Sequence, residues 1–558
     1  MFVKLLSMIN ERLCSIKQNN RDCLMATIVF AAIVFYQSWV CDDAYHAFIM
    51  ARNLVEGNGF VYNLGYRVNA STSPFFTLLV AIIYFLTNDM YLSGILLGTI
   101  FSAGTVLLLF KYVCKNRIEI VLLMIWLLSC YSFMSFTTSG LENSALFFLI
   151  TCIAIIYFKI KDYTLKHLFA LTFFFSVLLV MRMDNALIVF PMLVYAFAKC
   201  RCNLGKRFLM LLLGIIPFAV WELFSVWYYG FPFPNTAYAK LSTGFDISEY
   251  LSRGVDYLWR SLLSDLVLLV TLLAFAVLVF RKKKSKICVS AIGVFLYYCY
   301  VVYIGGDFMA GRHLTCCFLL NCIILLFNYS KPIIVSAVKI GGFFCLIGLL
   351  LIYISYQSII NHSCFYTKDY LCHSQTSITD EKWYYKKFDI YDYLIEKYFF
   401  DKDLLYAYKY DLISYLGTNI IAIDNKKVLI DLLVPGMGAY YLKVKDSNLM
   451  VVDSIGLSDE FLSRLPALQN KWRVGHILRA FPKGYIATLL YDKNMIFDRE
   501  LHNYYDIMHN VVTGELFDFN RILSIIELNT TEYNLLRSLK YHIEDNELNR
   551  FLSGMCLE

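Results

Sequence analysis

The feature that most constrains this 558-residue chain is the alternation of long, charge-poor apolar runs with short Lys/Arg clusters over its first 357 positions. A run of about 20 such residues can cross a bilayer. In hydrocarbon the backbone must satisfy its own polar groups, so such runs fold as helices. Lys and Arg collect in the cytoplasmic loops. The N-terminal stretch carries Lys4, Arg12, Lys17 and Arg21 and is placed inside. The apolar run 25–40 lacks a small-residue cleavage pattern and is read as a retained helix rather than a signal peptide. Further runs lie at 92–112, 120–136, 144–158, 168–181, 186–198, 208–228, 262–280, 287–303, 314–327 and 333–356, about eleven spans in all. The segment 74–86 is short for a span and is read as interfacial or re-entrant on the outer face. If it crossed, the basic cluster at 111–117 would be turned outward, and every later cluster with it.

Composition agrees. Hydrophobic residues make up 59% of the chain and the mean hydropathy is +0.57, against roughly 45–50% apolar residues in soluble domains. The net charge of +7 would raise nucleic acid as a partner for a soluble protein. Here the cytoplasmic loops account for it, and no zinc-finger or RNA-binding signature is present. The bilayer is the expected partner, not nucleic acid. Most of the 17 Cys lie in apolar runs as small hydrophobes. Cys200 and Cys202 form a C-x-C pair without partner ligands. Cys364 and Cys372 follow the last run, where an oxidising compartment would permit a disulfide.

Charged residues become common from 357 onward, and short strand and helix patterns alternate. Segments 404–408, 420–424, 428–432 and 449–453 read as strands. Segments 391–399, 459–465 and 520–527 read as helices. The expected organisation is an α-helical polytopic membrane domain, 1–357, and a soluble mixed α/β domain, 358–558, outside the cytoplasm. No 20–50-residue repeat is present.

With this threading the unusual polar residues collect on the outer face. Asp42 and Asp43 end the first span and precede an expected helix at 44–55. Glu142 lies in the next outer turn, Arg182 and Asp184 in the one after, Lys240 in a long outer loop, and Asp307, Arg312 and His313 in the last. Ionisable groups at a membrane boundary are costly, and a ring of them marks a functional cavity. A carboxylate of the Asp42–Asp43 pair suits a general base; as N-caps, the same residues would serve the following helix. Arg182, Lys240, Arg312 and His313 offer positive charge for a phosphate. No Walker or Rossmann phosphate loop and no H-E-x-x-H motif is present, and a divalent-metal requirement stays open. Trp472, Arg473, His476 and Arg479 form an aromatic and basic cluster in the soluble domain. On a helix Trp472 and His476 would share a face, as would His476 and Arg479. The cluster suits acceptor binding, or an internal anchor to the membrane helices.

Several ordered blocks carry a family resemblance: DDAYHAFIMARNLVEGNGF at 42–60, VYNLGYRVNASTSPFFTLL at 61–79, TSGLENSALF at 138–147, RMD at 182–184, YYGFPFPNTAYAK at 228–240 and GGDFMAGRH at 305–313. VVDSIGLSDEFLSRLPA at 451–467 and WRVGHILRAFPKGY at 472–485 extend it into the soluble part. Together they resemble GT-C superfamily membrane glycosyltransferases, most of all the mycobacterial terminal arabinofuranosyltransferase family and its bacterial relatives. The resemblance implies a GT-C fold in the bacterial inner membrane, with the C-terminal domain periplasmic. It also implies a polyprenyl-phosphate sugar donor, arabinofuranose in the first instance, and a cell-envelope glycan or glycoprotein acceptor. Asp42 and Asp43 match the paired acidic motif that carries the general base. Glu142 and Asp307 match acidic positions lining the site, and Arg312 matches a basic one. Ala310, Asn185 and His313 depart from the family pattern, which leaves another sugar, a hexose or an aminopentose, open. A transporter or flippase is the non-enzymatic alternative; it fits less well, because the charge gathers at one face and paired repeats are missing.

Overall fold

The computed structural model describes residues 20–241, 243–328, 378–385, 420–423, 426–431, 436–468, 474–530, 536 and 539–543. It is mostly helical, at 69%. The helices are α1 Asn20–Tyr36, α2 Ala44–Val55, α3 Pro74–Thr87, α4 Met90–Tyr112, α5 Arg117–Ser129, α6 Tyr131–Ser135, α7 Asn143–Lys159, α8 Leu165–Met181, α9 Ala186–Lys199, α10 Leu204–Gly214, α11 Ile216–Tyr229, α12 Asn235–Leu241, α13 Ile247–Ser264, α14 Leu266–Lys282, α15 Ser285–Tyr303 and α16 Thr315–Asn328. A short α17, Glu381–Tyr385, precedes a three-stranded sheet of β1 Ile420–Ile423, β2 Lys426–Asp431 and β3 Met450–Asp453. Helices α18 Met437–Lys445, α19 Tyr485–Tyr491, α20 Arg499–Thr513 and α21 Phe519–Thr530 complete the described elements.

Three of the expected apolar runs are broken, each for a local reason. Run 120–136 divides at Cys130, where the Asp265 carboxylate takes the Ser132 backbone N–H at 2.8 Å and the Cys130 thiol at 3.4 Å. Run 208–228 bends by 49° between α10 and α11. Pro217, near the start of α11, has no N–H to continue the helix. The Ser176 hydroxyl instead satisfies the broken backbone, donating to Ile215 O and accepting from Phe218 N. Run 262–280 begins at a 103° corner, where the Asp265 side chain accepts from Val267 N and starts α14. The amphipathic α13 before that corner carries too many charged residues to read as a span.

On length and composition, α4 and α15 can each cross a bilayer alone, or up to four spans if each bent pair counts as one. The other apolar helices, including α3, α7 and α8, are shorter. The described helices thus fall below the expected count of about eleven on length alone, because polar turns intrude into the runs. Helix α2 occupies the expected 44–55, and α3 the expected 74–86 with one residue more.

Helix α1 packs antiparallel to α4, and Arg117 meets Asp22 at 2.6 Å. The Lys159 ammonium sits over the Tyr112 ring. Lys286 donates to the Tyr157 and Ile160 carbonyls, and Lys282 to Asn328 O at 2.8 Å. Tyr195 and Ser285 hydroxyls meet at 2.9 Å. These contacts gather the basic segments near 111–117, 159–161, 199 and 281–286 at one end of the bundle, as the charge alternation requires. Helices α9 and α15 cross so closely that a Cβ on Gly293 would overlap the Ile188 carbonyl, the kind of contact small residues permit between apolar helices.

In the C-terminal part, β1 pairs antiparallel with β2, and β2 pairs parallel with β3. Strands β1, β2 and β3 overlap the expected 420–424, 428–432 and 449–453, of which 424 and 432 lie outside the described residues, and 520–527 falls within α21. The expected helix 459–465 is instead a turn with a single 3-10 turn at Leu462–Arg464, where the Asp459 side chain accepts from Leu462 N at 2.8 Å. Span 333–356, strand 404–408, helix 391–399, Cys364, Cys372, Trp472 and Arg473 lie outside the described residues.

The hydrophobic core does not stop between the two parts. The helical core runs into Leu429, Met437, Leu449 and Val451. Phe231, from the loop after α11, is buried with Phe461, Tyr485 and Val511. Buried Arg521 donates to the carbonyls of Trp227 and Tyr228, and Asn235 Nδ2 to those of Gly456, Leu457 and Asp459.

Candidate active site

At the end of the bundle opposite the basic segments lies a cavity of about 440 Å³. Its lining draws on α2, the loop before α3, the turn before α7, the α8–α9 turn, α12, the 304–313 loop and the 474–477 loop. Asp43, Glu142, Arg182, Asp184, Lys240, Asp307, Arg312 and His313 all line it. Residues scattered over 270 positions of sequence, from 43 to 313, thus meet in one place.

Glu142 is the hub. It is buried on the turn before α7 and accepts from Arg182 Nη1 at 2.5 Å and Arg312 Nη2 at 3.1 Å. Burial alone would raise its pKa, but the two guanidinium groups outweigh burial and hold it at about 2. Arg182 Nε also reaches both Asp184 oxygens at 3.0 Å. Arg312 lies 3.6 Å from Asp307 Oδ2, and His313 Nε2 lies at the same distance from that oxygen. His313 Nδ1 meets the Tyr297 hydroxyl at 2.9 Å. Asp307 Oδ1 accepts from Phe308 N, while Oδ2 is buried with no hydrogen-bond partner among the described residues. Burial would push the Asp307 carboxyl up, and its electrostatic interactions with His313 and then Arg312 hold it below the ordinary value; burial lowers the His313 pKa itself to about 4. Both arginines are therefore matched by carboxylates before any ligand arrives.

Two charged lining residues differ. The Lys240 ammonium, on α12, makes no ion pair or hydrogen bond among the described residues. Asp43 stands at the N-cap position of α2, yet its side chain makes no capping hydrogen bond and has no hydrogen-bond partner among the described residues. A carboxylate at a helix N-terminus ordinarily caps it; this one faces the cavity instead.

Its neighbour has another place. The Asp42 carboxylate accepts from Met437 N at 2.6 Å, at the start of α18, and does not line the cavity. Gly436 lies against it, so close that a Cβ there would overlap Asp42 O. Tyr45 packs on Tyr440 and Tyr441 of α18, and Lys443 donates to Asn63 Oδ1 at 2.9 Å. The two adjacent acids therefore divide: Asp43 faces the cavity, and Asp42 ties α2 to the C-terminal part.

The cluster expected to bind acceptor is not a helix between 474 and 480. Arg479 is fully buried and donates to the carbonyls of Ile455, Ile477, Ala239 and Leu465. Its guanidinium joins backbone segments and does not line the cavity around Asp43, so of the four residues Arg479 sits as an internal tie. The His476 ring packs edge-on to Phe308 at 4.6 Å.

The structure adds lining residues that the sequence reading did not single out, among them His46, Asn69 and Thr236. His46 follows Asp43 by three positions, the spacing of one helical face; that offset was the only sequence signal. Among the described residues no three His, Cys, Asp or Glu side chains gather to hold a metal ion.

No family model matches the chain. Two curated relatives do. A terminal beta-(1->2)-arabinofuranosyltransferase of Corynebacterium glutamicum is 25% identical over 369 residues, 57% of this chain and 51% of the relative. One of Mycobacterium tuberculosis is 27% identical over 261 residues, 42% of this chain and 40% of the relative. The chain is similar to terminal arabinofuranosyltransferases. It spans about half the length of these relatives, or less. The likeness agrees with the resemblance carried by the DDAY, LENSALF and GGDFMAGRH blocks.

Proposed function

We propose that the chain is an inverting membrane glycosyltransferase that moves a pentose, arabinofuranose in the first instance, from a polyprenyl-phosphate donor to a cell-envelope glycan or glycoprotein. The observation that carries this is the presence, in one cavity, of a carboxylate and an ammonium whose side chains make no hydrogen bond or ion pair among the described residues, Asp43 and Lys240. The acceptor hydroxyl attacks the anomeric carbon while Asp43 takes its proton. The bond from that carbon to the phosphate oxygen breaks, and the polyprenyl phosphate leaves with its negative charge facing Lys240. Arg182 and Arg312, fixed by Glu142, Asp184 and Asp307, keep guanidinium N–H groups in place without rearrangement. Asp42 is a positioning residue, holding α2 against α18.

This reading puts the cavity on the periplasmic face of a bacterial inner membrane, with residues 358–558 on the same side. Lipid-linked sugars need no nucleotide there, and the basic segments stay in the cytoplasm. Similarity to the two named arabinofuranosyltransferases supports the choice of sugar. The test is transfer by the purified full chain in lipid nanodiscs, from synthetic polyprenyl-phosphoryl arabinofuranose to an arabinofuranosyl oligosaccharide. Formation of a product one pentose longer supports the reading. Its absence, with transfer from the matching hexose or aminopentose donor, replaces the sugar; absence from all three removes the enzyme.

A further inference from the structure

A neutral polar side chain sealed into a cavity wall normally finds a protein partner, because leaving it unpaired forfeits the hydrogen bonds it made in water. His46 does not. It is only 6% exposed, and both Nδ1 and Nε2 are buried without a hydrogen-bond partner among the described residues. The ring lies one helical turn beyond Asp43 on α2 and lines the same cavity. One flank is stacked on Tyr62, with ring centroids 5.4 Å apart and planes at 28°. Tyr62 in turn lies beneath the buried ammonium of Lys443. The imidazole is thus held in orientation by stacking, while its two hydrogen-bonding atoms are left for something else. Burial lowers its pKa, so the ring is neutral, with one donor and one acceptor nitrogen. Two other lining residues carry such an atom: Asn69 Oδ1 and Thr236 Oγ1 are buried with no hydrogen-bond partner among the described residues.

A neutral donor–acceptor ring suits a hydroxyl, which also donates and accepts. It suits a phosphate poorly, since one of its nitrogens would present a lone pair to an anion. We propose that His46 is a sugar-reading residue, hydrogen-bonding a ring or exocyclic hydroxyl of the pentose bound beside Asp43, with Asn69 and Thr236 completing the set. This rests on the glycosyltransferase reading and deepens it: the site selects its sugar by hydroxyl pattern, and His46 sets that selection. The same chemistry would serve a hydroxyl of the donor pentose or of the acceptor pentose.

The experiment measures selectivity, not rate alone. The full chain is assayed with polyprenyl-phosphoryl arabinofuranose and its 2-, 3- and 5-deoxy analogues, and separately with matching deoxy acceptors. A site built to bond a hydroxyl rejects the analogue lacking it by far more than a hydrophobic site would. For one analogue the wild-type kcat/KM is expected to fall by about a hundredfold or more. The series in which this happens, donor or acceptor, identifies the sugar that is read. In His46→Phe the parent and that analogue should converge to within about tenfold. His46→Gln, which keeps a donor and an acceptor, should retain part of the preference and serves if the Phe variant does not fold. Equal use of every analogue by the wild type overturns the proposal, as does an unchanged preference in either folded variant. Those outcomes leave transfer intact and so spare the function. Failure of the wild type to use any polyprenyl-phosphate pentose sinks both.

Discussion

The two ends of the helical bundle carry charge in opposite ways. At one end Lys159 and Lys286 lie over aromatic rings or against carbonyls, with no ion pair to an acidic side chain among the described residues. At the other, Glu142, Arg182, Asp184, Asp307 and Arg312 are drawn inside and matched carboxylate to guanidinium. Charge at the first end is inexpensive, because the long Lys stems reach outward, and it reports orientation. Charge at the second end is costly to bury, and it is assembled around a cavity. Similar residue types thus mark topology at one end and chemistry at the other, and burial separates the two.

The widest test of this comparison is sidedness. Reporter fusions after Lys283 and after Tyr485 should give opposite, all-or-none signals. If both report one side, the two ends do not face opposite compartments and the proposed outer face is lost.

Next come the adjacent acids. Asp43→Asn should lower transfer by roughly 10²–10⁴ in rate with normal membrane insertion. Asp42→Asn should cost less in rate and mainly loosen the C-terminal part, seen as faster protease cleavage between residues 420 and 450. Equal losses in both, without loosening in the second, would mean that the acids share one role.

Third is the buried network. Glu142→Gln leaves two buried guanidinium groups without their common anion, and should destabilise the protein by about 3–5 kcal/mol, measured by thermal unfolding in detergent. The pH dependence has a definite sign. A carboxylate held at about 2 when folded, against an ordinary 4.5, adds stability that is fully present above 4.5. That contribution should fade as the pH falls towards about 2 in the wild type and be absent in Glu142→Gln. A pH profile shared by both proteins would show that Glu142 is not the hub.

The smallest effects contrast single lysines at the two ends. Lys240→Ala should raise the KM for donor by about tenfold, the loss of a charged contact worth roughly 1.5 kcal/mol. Lys159→Ala should change stability by no more than about 1 kcal/mol and leave KM unmoved. A KM effect at Lys159, or none at Lys240, would erase the distinction between the ends.

Some of this was legible in sequence because it depends on one dimension. Apolar runs, basic clusters and the positions of Asp43, Glu142, Arg182, Asp184, Lys240, Asp307, Arg312 and His313 follow from patterning along the chain, and all eight residues line the cavity. The strands β1 to β3 were legible through their β-branched content. Helices α13 and α20 were not, because their polar faces dilute the hydrophobic signal that marks a span. Nor were the broken helices, because a break at Cys130 needs the Asp265 carboxylate, 135 residues away in sequence.

The sequence by itself determined that this chain is built of apolar helices with charge gathered at their two ends, since hydrocarbon demands internally satisfied backbone and expels unpaired charge. Only the tertiary structure decided what each polar group does. Asp42 and Asp43 are equivalent on paper, but the start of α18 claims the first and leaves the second to the cavity. Arg479 reads as a binding residue until four backbone carbonyls surround it. His46 reads as one more residue of an amphipathic helix until both its nitrogens prove to be buried without hydrogen-bond partners among the described residues. Partnership of a polar group is a property of three-dimensional distance, and segments far apart in sequence supply it.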